Sequence, residues 1–171
     1  MLELERTYLA KYIPDISSAK HKEIIDVYFP HTSFHPTLRI RKSGQKFEMT
    51  KKTMVDNDPS KQLEHNIMLT EDEFVALSKA DGKRVSKIRY YYDFNGRTAE
   101  IDIFQEDLAG LILIDFEFDN ETDKDNFPLP DFCLMDVTGI EFIAGGMLCG
   151  KKYQDIENQL QQLGYKQFST K

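Results

Sequence analysis

Seven carboxylates and five cations sit in this chain at a spacing that could do chemistry. Glu3-Leu4-Glu5, Arg39-Ile40-Arg41, Lys87-Ile88-Arg89, Glu100-Ile101-Asp102 and Asp115-Phe116-Glu117 each place two like charges around one apolar residue. An extended chain turns alternate side chains to opposite faces, so each segment reads as a strand with a charged face and an apolar one. Lys52 and Glu64 fall in the same phase on two further strands. Guanidinium and ammonium groups bind phosphate, as forks or as point charges. Carboxylates hold Mg2+ or Mn2+ through oxygen, and substrate phosphates can complete the shell. The bland alternative is an ordinary core with charged faces in water, as half-buried antiparallel strands usually have. Against it stands the number of single-sign pairs, which solubility does not require. Convergence of these faces on one interior would make a metal–phosphate site.

The apolar partners (Leu2, Leu4, Leu38, Ile40, Ile88, Ile101, Ile103, Ile114, Phe116 and Phe118) must then be buried from outside. Strands are expected over 2–9, 23–29, 37–42, 45–54, 62–69, 84–94, 97–104 and 110–118. Ser43-Gly44 and Asn95-Gly96 make hairpin turns, and Asn-Gly between alternating segments is the strongest short hairpin signal. Helical cover comes from four places. Asp15 caps a short helix to Lys20. Thr70 and Glu73 form a capping box, closed by Asp81-Gly82. Thr138 and Glu141 form a second box ahead of Phe142, Ile143, Met147 and Leu148, weakened by Gly145-Gly146. Tyr153 to Leu163 is amphipathic and stops at Gly164. Residues 120–130 leave room for one helical turn. These elements predict a mainly β (α+β) fold in one domain over 1–171, an eight-stranded antiparallel β-barrel with helices packed outside. Eight strands enclose room for one small ligand.

A net charge of −7 argues against a general nucleic-acid binder. Cys133 and Cys149 have neither disulfide-framework nor zinc spacing, which suits reduced thiols in a cytoplasmic protein. No apolar run reaches membrane-spanning length, and Met1 runs straight into the first strand with no room for a signal peptide. The four histidines form no triad or metal pattern, and His31 and His35 read as solvated beside a proline turn. Tyr90-Tyr91-Tyr92 reads as packing under helices. A homodimer is allowed, though nothing in the sequence selects one.

In order along the chain, these motifs resemble the CYTH superfamily, also called triphosphate tunnel metalloenzymes. Its opening Glu-x-Glu-x-Lys is matched by Glu3-Leu4-Glu5-Arg6-Thr7, its Arg-x-Arg by Arg39-Ile40-Arg41, and its Thr-x-Lys by Thr50-Lys51-Lys52. Lys87-Ile88-Arg89-Tyr90, Glu100-Ile101-Asp102-Ile103-Phe104, Gly110 to Glu117 and Val137-Thr138 follow in sequence. The resemblance covers Glu3 to about Leu148. It implies that Arg39, Arg41, Lys52, Lys87 and Arg89 bind a triphosphate. It further implies that Glu3, Glu5 and Glu117 hold a catalytic Mg2+ or Mn2+, with Asp115 a shorter substitute in the ligand set. Glu64, Glu100 and Asp102 would orient the cations or serve a second metal.

The implied activity is metal-dependent hydrolysis of inorganic tripolyphosphate, a nucleoside triphosphate or thiamine triphosphate. Alternatives are a class IV-type adenylate cyclase and a tunnel that binds polyphosphate or nucleotide without turnover. Two departures bear on the choice. Thr7 stands at the motif lysine, with Arg6 expected on the outer face, and Glu64-His65-Asn66 lacks a second glutamate.

Overall fold

A computed structural model describes residues 2–169. Nine strands run β1 Leu2–Ala10, β2 Lys20–Phe29, β3 Leu38–Ser43, β4 Lys46–Val55, β5 Asp58–Leu69, β6 Lys83–Phe94, β7 Arg97–Phe104, β8 Ile112–Phe118 and β9 Cys133–Asp136. The helices are α1 Glu71–Leu77, α2 Glu121–Asp125, α3 Gly145–Leu148 and α4 Tyr153–Gln162. The pairing order is β5-β4-β3-β2-β6-β7-β8-β1, and β5 returns to β1, so eight antiparallel strands close into a barrel. The ninth strand, β9, joins the outer edge of β1 at Tyr8–Ala10.

Closure on β1 is divided. Residues 2–4 pair with β5 and residues 8–10 with β9. Between them the wall is completed by a loop, in which Val137 N donates to Thr7 O at 2.8 Å and Thr138 Oγ1 accepts from Thr7 N at 3.0 Å.

The apolar faces form the outer core as expected, except at Leu2, which is exposed. Leu4, Tyr8, Ala99, Ile101, Ile114, Phe116 and Phe118 pack with Phe132, Cys133 and Phe127. A second core lies at one end of the barrel. There the inward positions change from polar or charged to apolar: Leu9 follows Thr7 on β1, Leu113 precedes Asp115 on β8, Val85 precedes Lys87, and Phe104 follows Asp102. Val137, Ile143, Leu148, Ile156, Leu160 and Tyr165 cover that end. Leu148 is fully buried there. Leu148→Ala should lower unfolding stability by about 2–5 kcal/mol, measured by denaturant titration, because the cavity it leaves can only partly collapse.

Three local expectations are corrected. In place of the helix expected over Asp15–Lys20, residues 15–19 form a turn in which the Asp15 carboxylate accepts from Ser17 N at 3.0 Å, and Lys20 already begins β2. The second capping box does not form. Thr138 is committed to Thr7 and to Asp136, so α3 begins only at the glycines. The strand expected from 110 starts at Ile112, because Gly110 adopts φ +99°. The Thr70–Glu73 box is present with both of its hydrogen bonds. Its helix ends at Leu77, with Ser78 as the C-cap, short of Asp81-Gly82. Among the described residues no helix is long and apolar enough to cross a membrane.

Candidate active site

A cavity of about 690 Å³ occupies the barrel interior. Strand phase alone brings all twelve charged residues singled out above to its wall: Glu3, Glu5, Arg39, Arg41, Lys52, Glu64, Lys87, Arg89, Glu100, Asp102, Asp115 and Glu117. Arg6, one residue out of phase, points outward to Asp136 at 3.1 Å.

Four of the five cations are held by carboxylates. Asp102, buried on β7, takes the Arg89 fork at 2.7 Å to each oxygen and also accepts from Lys87. Burial alone would raise its pKa, but Arg89 and Lys87 override that and bring it down to about 2. Arg89 also donates to Glu100, whose pKa burial raises in spite of it. On the neighbouring wall, Arg41 makes a second fork with buried Asp26, both bonds 2.7 Å. Against the penalty of burial, Arg41 keeps Asp26 well below the ordinary carboxylate range. Lys52 donates to Glu3 at 2.6 Å and lies 2.9 Å from Glu64. There too the ammonium outweighs burial and brings Glu64 to about 2. The fifth cation, Arg39, is treated differently: its Nη1 donates to the Tyr28 hydroxyl at 3.3 Å, and Glu64 stands 4.0 Å from its Nη2.

The acid wall lies across β1 and β8. Glu5 faces Glu117, and Thr7 faces Asp115, as direct cross-strand partners. Like charges in that relation repel. Burial, with the repulsion of Asp115 and Glu3 and against the pull of Lys52, pushes Glu5 up to about 7. Burial and the nearby Glu3 raise Glu117 as well. One row along, the Thr7 hydroxyl donates to Asp115 Oδ1 at 2.7 Å, and Arg89 Nη2 lies 3.3 Å from Oδ2. Both Asp115 oxygens are thus engaged by protein donors.

Oxygen-only donors in two facing strands suit a hard divalent cation, and the raised pKa values of Glu5 and Glu117 mark where positive charge would be welcome. Among the described residues no group of three or more His, Cys, Asp or Glu is already gathered into a metal cage. Lys52 holds Glu3, and Thr7 with Arg89 holds Asp115, so ligation by either requires a partner exchange.

Other residues line the cavity besides these twelve, Lys22, Lys46 and Glu141 among them. Asp26 was overlooked inside an apolar run, although a lone carboxylate at an inward position of Ile24-Ile25-Asp26-Val27-Tyr28 is a usable signal. Tyr28 carried none. Glu48, cross-strand from Arg41 and paired with Lys46 at 2.9 Å, also lines the cavity. His35 is half-buried at the wall, 3.7 Å from Glu141, rather than solvated. Tyr91 lines the cavity too, while Tyr90 and Tyr92 pack in the outer core.

No protein-family model matches the chain. An inorganic triphosphatase from Nitrosomonas europaea is 30% identical over 140 residues, covering 81% of this chain and 90% of that protein. A solved inorganic triphosphatase superposes with a TM-score of 0.65 at 26% identity, over 87% of this chain and 95% of the other. A protein from Pyrococcus horikoshii shares the fold at a TM-score of 0.51 and 20% identity, over 96% and 91% of the two chains. With a relative this similar along most of both sequences, and with the barrel and its charged interior in place, the chain belongs to the CYTH superfamily of triphosphate tunnel proteins.

Proposed function

We propose that this chain is a metal-dependent triphosphatase acting on a small triphosphate, with inorganic tripolyphosphate the first substrate to test. The observation that carries this reading is the charge inventory of one cavity. Among the described residues, ten carboxylates and seven Lys or Arg side chains line it. A polyanion entering an interior already in acid excess is repelled unless cations accompany it. The relatedness to inorganic triphosphatases supports the same choice.

Arg39, Arg41, Lys52, Lys87 and Arg89 would bind the phosphate oxygens and neutralise charge that builds on them during transfer. Asp26 and Asp102 hold two of these guanidinium groups in fixed orientation, so no reorganisation is needed when substrate arrives. Glu3, Glu5 and Glu117 would hold Mg2+ or Mn2+, which supplies charge neutralisation and polarises a phosphoryl oxygen. Asp115 serves here as an acceptor for Thr7 and Arg89. Thr7 therefore has a satisfied role of its own at the motif lysine position.

Phosphate release from tripolyphosphate at neutral to alkaline pH tests the proposal. Turnover should appear with Mg2+ or Mn2+ and disappear with chelator. Tight calorimetric binding of tripolyphosphate without product would select the binding-only tunnel instead, and cyclic AMP with pyrophosphate from ATP would select the cyclase.

A further inference from the structure

Among the three cavity arginines, Arg39 is the one that no carboxylate fork holds; its nearest carboxylate, Glu64, stands 4.0 Å from Nη2. Its Nε is buried and has no hydrogen-bond partner among the described residues. Its one short contact is with a neutral group, the Tyr28 hydroxyl at 3.3 Å, its direct cross-strand partner on β2. Tyr28 is 6% exposed, wedged in the core that covers one end of the barrel. Opposite its hydroxyl lies Gly145, at the start of α3, where an added Cβ would fall 2.6 Å from Tyr28 Oη. That approach is closer than any side chain permits, so the glycine that weakens this helix is what leaves the hydroxyl its place.

The chemistry of the two kinds of holder differs. A carboxylate fork orients a guanidinium but offsets much of its charge and takes two of its five donors. A phenol accepts one hydrogen bond and leaves the positive charge intact. We infer that Tyr28, kept in register by Gly145, is a positioning residue that presents Arg39, with its donors outside any carboxylate fork, as the leading phosphate-binding guanidinium of the cavity. This inference rests on the triphosphatase reading above. It adds that affinity for the substrate passes through a phenol and a glycine outside the charged motifs.

Tyr28→Phe should raise the KM for tripolyphosphate about tenfold while kcat falls less than about threefold, because one hydrogen bond to a charged group is lost and the catalytic wall is untouched. Gly145→Ala should reproduce that KM rise in the native background. In a Tyr28→Phe background it should add nothing, since the clashing atom is gone. Tyr28→Phe should likewise add nothing to Arg39→Ala. Melting temperatures of all variants, measured alongside, separate this from loss of packing. The inference is overturned if Tyr28→Phe leaves KM unchanged, lowers kcat alone, or acts additively with Arg39→Ala. A wild-type chain that neither hydrolyses nor binds tripolyphosphate overturns the functional reading as well, and that is seen before any variant is made.

Discussion

Glu5→Gln is expected to cut triphosphate hydrolysis by at least about a hundredfold and, in the same protein, to raise the melting temperature of the metal-free state at pH 8. The two effects share one cause. Glu5 faces Glu117 across the β1–β8 pairing, with Asp115 and Glu3 close by, and burial raises its pKa to about 7. The ordinary value is 4.5, so between about 4.5 and 7 the folded chain keeps a proton that the unfolded chain has lost. The stability that this proton confers is complete below pH 4.5 and is lost as pH rises through 7. By this linkage the loss is on the order of 3 kcal/mol.

The glutamine variant is isosteric and has no such charge. It should melt above the wild type at pH 8 and converge with it at pH 5, which scanning calorimetry in chelator will read. Millimolar Mn2+ should then stabilise the wild type and leave the variant nearly unmoved, because only a state that binds the ion gains from it. Equal melting curves at pH 8 would show that Glu5 carries no such strain.

Asp102→Ala should produce the largest loss of stability of any single change in the cavity. Asp102 is 1% exposed and is shared by the Arg89 fork and Lys87. Its removal leaves buried Lys87 without its ion-pair partner and Arg89 without its fork, held only by Glu100 and Asp115, and breaking a buried pair costs about 3–5 kcal/mol. For a domain of this size that is a fall on the order of 10 °C in melting temperature. Activity should fall as well, since Arg89 loses the fork that sets its direction. The conservative Asp102→Asn should recover part of the stability through hydrogen bonding but little of the activity, because the charge that orients both cations is still missing. A melting temperature within about 2 °C of wild type for Asp102→Ala would show that the cavity cations do not depend on it.

Much of this was legible from strand phase. The i, i+2 charge pairs, the Asn95-Gly96 turn and the Thr70–Glu73 box each depend on residues a few positions apart, and local geometry decides them wherever they occur. Hence the eight barrel strands and the twelve charged wall residues could be named from the sequence. Two of the misreadings have the opposite property. Thr138 has the sequence of a helix cap, yet its hydroxyl is taken by Thr7, 131 positions away, where the barrel edge is left unpaired between β5 and β9. Cys133–Asp136 is too short to announce itself, and becomes a strand only because β1 offers it an edge.

By itself, the sequence determined that charge lies on one face of each strand, since period-two alternation requires nothing beyond the strand itself. Tertiary structure decided how those charges pair. The β1–β8 pairing puts Glu5 opposite Glu117, β6–β7 gives Asp102 to two cations, β2–β3 gives Asp26 to Arg41, and the same pair leaves Arg39 to a phenol beneath a glycine. Which carboxylate meets which cation depends on register between strands, some neighbouring in the chain and some, as for Lys52 and Glu3, far apart. That register is set by packing of the apolar faces outside the barrel and of the core at its end.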